Sequence, residues 1–524
     1  MTLKEKIGQK LIVGLKGNSL SSEFIHLVKD YKIGNVILFK QNIKNPAQLR
    51  SLCLSIQELV QQETGYPALI GIDQEGGGVS RLPGDFNVPG QMALAASGDP
   101  QNAQIAAEIT SHMLQSFEIN FNFAPVVDIN SNPHNPIIGR RAYGDTAEKV
   151  ISYALAALKG YQNNHFLCCA KHFPGHGDTT DDSHLSLPRI DKSFDELEEL
   201  ELRPFKTMID ADCPSIMVAH ILYTNLQTAD VPSSMSREII TGLLREKYGF
   251  SGLVVSDCME MDAIHKYYGT VEGAIEAIKA GTDLVIISHS AKLAEEAAQH
   301  ILEKVRCNKI SLIELDESVS RILRYKKEYC RENACYEENR KKNAQQEDDK
   351  IKAEKKEIWN LREKSIVLQK GVIPELRNEP IFVSCREFQA GLVFNEEDEV
   401  SFAEYMAKKL GGMAILVSQD PDDEEMLHIL SKISVYPKDR VIVIGTYNAY
   451  LFHGQKELIY AIGETGHPLV VIALGNPYDL SDLPDKASGI AIWEYSREMF
   501  DVLIPILEGK RKPTGVMPVK IEDE

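Results

Sequence analysis

Over residues 1–330 short apolar runs rich in Val, Ile, Leu and Phe alternate with longer stretches whose apolar positions recur at helical spacing. The runs predict strands at Leu11–Gly14, Val36–Phe39, Ala68–Ile72, Asn120–Val127, Phe166–Ala170, Ile216–Ala219, Leu253–Ser256 and Leu284–Ile287. Between them the helical pattern predicts Pro46–Glu63, Gln101–Gln115, Ala147–Asn163, Phe194–Ile209, Arg237–Lys247, Val271–Lys279 and Lys292–Val305. A strand buried on both faces reads as a continuous apolar run, as parallel strands covered by helices do. Eight such strands separated by helices predict a (β/α)8 TIM-like barrel.

The pattern changes at residues 331–360, where 16 of 30 residues are charged, eight of each sign. Such a segment reads as a solvated helical connector. Beyond it SIVLQK, PIFVSC, MAILVS, RVIVIG, PLVVIALG and SGIAIW read as buried strands divided by helices, which predicts a smaller αβα sandwich. The expected organisation is a catalytic barrel over 1–330, a connector over 331–360 and a sandwich over 361–524.

Composition narrows the partners. The 524 residues carry a net charge of −19, so the overall field disfavours nucleic acid and anionic membranes. No apolar run reaches the roughly 18 residues of a membrane span, and the first residues lack the apolar core and cleavage site of a signal peptide. The nine cysteines are scattered without a CxxC pair, which fits reduced thiols in a cytoplasm.

Chemistry concentrates where barrel strands end, the face on which such barrels build active sites. The third predicted strand runs into Asp73, the fourth into Asp128, the fifth into Lys171 and His172, the sixth into His220 and the seventh into Asp257. The densest segment is Lys171–His184, KHFPGHGDTTDDSH, with three histidines, three aspartates and a lysine in fourteen residues. Its Pro174, Gly175 and Gly177 forbid a continuous helix. In an extended loop residues two apart face the same side, so Asp182 can orient His184 as an acid/base. A solvated surface loop and a zinc site built from His172, His176 and His184 with Asp178 or Asp182 are the competing readings of the same residues.

That loop, together with GIDQEGGGVSRL at 71–82, IIGRRAYG at 137–144 and GLVVSDCMEM at 252–261, resembles glycoside hydrolase family 3, and within it the NagZ-like β-N-acetylglucosaminidases (β-hexosaminidases). The likeness continues more weakly through GTYNAYLFHGQKELI, HPLVVIALGNPYDL and PTGVMPVKI. The resemblance implies a retaining exo-glycosidase with Asp257 as nucleophile and His184, supported by Asp182, as acid/base. An imidazole in that role avoids the repulsion that a second carboxylate would meet near the nucleophile. The resemblance further implies that Asp73, Arg81, Arg141, Lys171 and His172 hold the sugar, and that neither metal nor organic cofactor is required.

The substrate so implied is a small carbohydrate ending in non-reducing β-linked N-acetylglucosamine, with peptidoglycan fragments in the cytoplasm as the natural source. Glu75 and His220 fit the pocket or the framework equally. Arg140 beside Arg141 leaves the guanidinium open to a shift of one residue, and Cys258 after the nucleophile reads as a packing thiol. Phosphorolysis by the same residues, and a catalytically inactive sugar-binding or scaffold protein, are alternatives. The sandwich is expected to stabilise the chain or form a homodimer.

Overall fold

Alternation within each strand sorts the side chains of the barrel into an inner and an outer core. The computed structural model describes residues 1–83, 86–179, 187–330, 344–385 and 401–521. Strands β1 (Leu11–Val13), β2 (Asn35–Leu38), β3 (Leu69–Ile72), β4 (Phe121–Asn122), β5 (Leu167–Cys168), β6 (Ala170–Phe173), β7 (Ser215–Val218), β8 (Leu253–Cys258) and β9 (Leu284–Ile287) pair in the order β5-β4-β3-β2-β1-β9-β8-β7-β6. Every pairing is parallel. Only Cys169 separates β5 from β6, so the two ends of this ladder are one stave and the sheet closes into an eight-membered ring.

Ile12, Ile37, Leu69, Phe121, Leu253, Val255 and Ile286 point inward and fill the ring. Leu11, Val13, Val36, Leu38, Ile70 and Val254 point outward against the helices. Gly71 on β3 is part of this packing, because a Cβ there would lie 2.7 Å from the Phe123 ring. The helices are bounded by conventional signals. In Pro46–Thr64, for example, Asn45 accepts from the Gln48 N–H, Pro46 occupies the first turn and Gly65 closes the end in the left-handed region.

Three predicted elements differ in extent, the first being Phe166–Ala170, which is two strands, Leu167–Cys168 and Ala170–Phe173, parted at Cys169. Of Asn120–Val127 only Phe121–Asn122 forms ladder strand, because Pro125 has no N–H to give; beyond it single bonds such as Val127 N to Lys171 O at 2.7 Å continue the contact with β6. The predicted helix Phe194–Ile209 is two helices, Phe194–Glu199 and Leu202–Asp210, with Leu200 between them at φ −128° and ψ −79°.

The second sheet contains β10 (Val367–Lys370), β11 (Ile381–Cys385), β12 (Met413–Val417), β13 (Ile442–Thr446), β14 (Leu469–Ala473) and β15 (Ser488–Ala491), ordered β10-β15-β14-β13-β11-β12. Only the β10–β15 pairing is antiparallel. Helices Phe402–Leu410, Asp423–Ser434, His453–Gly463 and Arg497–Leu507 accompany it. Its core is separate from that of the barrel.

The charged segment is less solvated than its composition implies. Helix Ala344–Ser365 buries Ile358 and Leu361 in the barrel's outer core, Arg362 Nη2 donates to the Asn87 carbonyl at 2.9 Å and Ser365 O accepts from Trp493 Nε1 at 2.6 Å. Apolar residues three apart give this helix a buried stripe that the balanced charges around it conceal. The short helix Gln91–Ala96 is shared more literally: Leu94 and Ala95 belong to the barrel core, Met92, Ala93 and Ala96 to the sandwich core. Among the described residues no helix is long and apolar enough to cross a membrane.

Candidate active site

The carboxyl ends of the barrel strands converge on a cavity of about 330 Å3. β3 delivers Asp73 and, two residues on, Glu75; β6 carries Lys171 and His172; β8 carries Asp257 and Cys258. Arg81 enters from the segment after β3, Arg141 from the turn Gly139–Arg141 and His176 from the loop after β6. Ile37, Phe39, Phe123, Met217 and Ile286 form its apolar lining. The volume lies at the lower end of the roughly 300–1,000 Å3 typical of small-molecule sites. A single hexose-sized ring therefore suits it better than an extended chain.

Glu75 is the electrostatic hub. Arg141 grips it with two parallel bonds, Nε to Oε2 at 2.8 Å and Nη2 to Oε1 at 2.7 Å. Lys171 Nζ lies 2.6 Å from the same Oε1 and 2.9 Å from Asp73 Oδ1. Burial opposes the charge on Glu75, but Arg141 and Lys171 outweigh it and hold the carboxyl well below the usual carboxylate range. Burial likewise opposes the Lys171 ammonium, and Asp73 and Glu75 more than compensate, raising its pKa. Glu75 and Lys171 thus keep their charges despite burial, and the array offers fixed donors and acceptors suited to hydroxyl groups, which can donate and accept.

Behind this array Asp128, fully buried, organises the loop after β6. It accepts from His172 Nδ1 at 2.7 Å and from the His176 N–H at 2.7 Å. The bond fixes the His172 ring so that Nε2 faces Arg141 Nη2, 3.4 Å away. Burial, and next the charge of His172, push the His176 imidazole down to about 4, so it stays neutral near pH 7; its Nδ1 meets Thr179 Oγ1 at 3.0 Å. Gly177 lets the loop run against the chain after β4, since a Cβ there would stand 1.6 Å from the Ile129 carbonyl oxygen.

Asp257 is only partly buried and opens into the same cavity. Its Oδ1 accepts from the Cys258 N–H at 2.7 Å, which restrains the carboxylate. Cys258 Sγ faces Ser288 Oγ at 2.9 Å, and burial pushes its thiol up to about 12, so it is no ready thiolate. His220 lies outside the cavity lining and bridges Ser234 Oγ at 2.7 Å and the Cys258 carbonyl at 2.9 Å. Glu260 accepts from the His289 and Ser290 N–H groups at 2.6 and 2.9 Å, tying the loops after β8 and β9 together.

The fold thus assembles Asp73, Arg81, Arg141, Lys171, His172 and Asp257 in one place. Asp182 and His184 lie outside the described residues. Arg141 enters the cavity, whereas Arg140 turns to the sandwich and bonds the Tyr447 hydroxyl at 2.9 Å. The hub role of Glu75 and the buried role of Asp128 emerge only in three dimensions; the signal available for both was a carboxylate at or just beyond a strand's carboxyl end. Among the described residues no three His, Cys, Asp or Glu side chains group so as to hold a metal ion.

A closed parallel barrel with ionised sugar-sized chemistry at its carboxyl face describes a glycoside-hydrolase domain, and sequence comparison agrees. The chain belongs to glycosyl hydrolase family 3, whose N-terminal domain model matches residues 2–325. It is 34% identical over 365 residues to β-hexosaminidase A of Pseudoalteromonas piscicida, a match covering 62% of this chain and 61% of that protein. The chain thus spans less than two thirds of that relative's length. A β-hexosaminidase of Thiobacillus denitrificans is 32% identical over 293 residues, 55% of this chain and 80% of its own. Among solved structures, a family 3 β-N-acetylglucosaminidase from Paenibacillus sp. str. FPU-7 matches over 100% of both chains with a TM-score of 0.88 and 32% identity.

Proposed function

We propose that the chain is a retaining exo-β-N-acetylglucosaminidase that removes a terminal non-reducing β-linked N-acetylglucosamine. The observation carrying this reading is that the Asp257 carboxylate shares a one-sugar cavity with the hydrogen-bonded array of Asp73, Glu75, Arg141 and Lys171. Asp73, Arg81, Arg141, Lys171 and His172 hold the hydroxyl and acetamido groups, so that the anomeric carbon meets Asp257. His184, oriented by Asp182, protonates the leaving oxygen while Asp257 attacks, giving a covalent glycosyl–enzyme. His184 then takes a proton from water, which displaces Asp257 and restores the β configuration.

Wall-derived muropeptides are the natural substrate we favour, in a reducing compartment. The support for the latter is that the eight described cysteines are all free thiols. The test is hydrolysis of an aryl β-N-acetylglucosaminide followed by NMR, with the β anomer expected first. Asp257→Ala should lose at least about a thousandfold in kcat. Undiminished turnover in that variant, or an α product first, would overturn the proposal.

A further inference from the structure

Among the described residues, every side chain lining the cavity comes from the barrel. The turn that presents Arg141 nevertheless leans on the sandwich. Its neighbour Arg140 donates from Nη2 to the Tyr447 hydroxyl at 2.9 Å and from Nη1 to the Trp493 carbonyl at 3.4 Å. The guanidinium carbon also lies 5.4 Å from the centroid of the Tyr447 ring, within cation–π range. Gly475 makes room for it, because a Cβ there would fall 2.7 Å from Arg140 Nη1.

A second link reaches the same turn. Gln91 Nε2 donates to the Arg141 carbonyl at 2.8 Å, and the helix that begins at Gln91 places Met92, Ala93 and Ala96 in the sandwich core. On its other side the turn is tied to the loop after β6. Asn135 Oδ1 accepts from the Ile137 and Ile138 N–H groups at 2.9 and 2.7 Å, while its Nδ2 donates to the His176 carbonyl at 2.8 Å.

We propose that the contact of Arg140 with Tyr447 and Trp493 is a positioning clamp, through which the sandwich holds Arg141, and with it Glu75 and Lys171, in sugar-binding geometry. The inference rests on the reading of Arg141 as a sugar ligand. Arg140 touches no reacting atom and acts only through its neighbour. Its rigid planar fork spans both acceptors beside an aromatic ring in one fixed geometry, which the compact, freely turning lysine ammonium does not reproduce. A contact that merely docked two domains would affect stability alone, whereas a clamp also governs affinity for the sugar.

The experiment compares Arg140→Ala, Arg140→Lys and Tyr447→Phe with the wild-type full chain. Kinetics on an aryl β-N-acetylglucosaminide and the Ki of free N-acetylglucosamine are read beside hydrogen–deuterium exchange of amides 137–142 and 175–179 in the free protein. In Arg140→Ala, KM and Ki should rise between about tenfold and a hundredfold, the scale of a displaced positioning group, with kcat changing less. Arg140→Lys should restore little, and Tyr447→Phe should move the same constants in the same direction by a smaller factor. Exchange at 137–142 should quicken while the sandwich strands keep their protection. A folded Arg140→Ala with unchanged KM and Ki, or with unchanged exchange in that turn, would overturn the clamp. A wild-type chain inactive on every β-N-acetylglucosaminide would instead overturn the functional reading, and the exchange experiment would still decide the clamp.

Discussion

Arg141 and Glu75, 66 residues apart in sequence, meet as a fully buried bidentate pair. A buried pair of this kind is costly to break, because the surviving partner keeps its charge without its counterion. Glu75→Gln should therefore destabilise the fold by about 3 kcal/mol, measured by urea unfolding at pH 7, and weaken sugar binding as Arg141 and Lys171 lose their common anchor. Since the Glu75 carboxyl is held below its ordinary value, its contribution is complete above the usual carboxylate range. It fades only as pH falls toward the depressed value. Wild type and variant should thus differ equally at pH 6 and pH 8.

His176 titrates in the opposite sense to a paired histidine. Its pKa falls from 6.5 to about 4 on folding, so the unfolded chain binds the extra proton between those values and stability drops as pH falls across them. The expected loss attributable to this group is about 3 kcal/mol. In His176→Gln the slope of unfolding free energy against pH between 6.5 and 4 should flatten. An unchanged slope would show that another group carries it.

Lys326 is buried and, among the described residues, donates to two neutral acceptors, Gln9 Oε1 at 2.6 Å and the Gly34 carbonyl at 2.8 Å. Burial lowers its pKa to about 7. The folded state holds fewer protons than the unfolded one between that value and 10.5, so stability should rise with pH over that window. Lys326→Met should gain about 1–2 kcal/mol at pH 7 after the two lost hydrogen bonds are counted. The gain should shrink toward pH 10, and a constant difference across this range would refute the assignment.

Cys258 adjoins the proposed nucleophile but its thiol is held protonated. Cys258→Ser should keep activity within about threefold, and iodoacetamide at pH 8 should inactivate the chain slowly if at all. Rapid inactivation prevented by N-acetylglucosamine would point to a reactive thiolate.

The barrel was legible because parallel strands buried on both faces leave continuous apolar runs, and no other element mimics eight of these between helices. The ends were less so. Asn120–Val127 reads as one run, yet Pro125 cannot extend the ladder; the break at Leu200 is announced only by Pro204, which has no N–H for the Leu200 carbonyl four residues back and sits in the first turn of the second helix. Asp73, Lys171, His172 and Asp257, picked out because they close barrel strands, do line the cavity, whereas Asp128 and His220, picked out by the same rule, stand behind it. The roles of Glu75 and Asp128 were not legible, because a carboxylate becomes a hub or a buried anchor only through the groups that distant segments bring to it. The connector misled for a related reason: its charge average hides Ile358, whose burial depends on what packs against it.

Helix Gln91–Ala96 divides five of its six residues between two cores. Neither core can melt while the other keeps that helix in place, so heating should give a single calorimetric transition for both lobes. The same sharing constrains descent. A barrel without the sandwich would need other residues at Met92, Ala93 and Ala96, which would otherwise face water at the foot of the Arg141 turn.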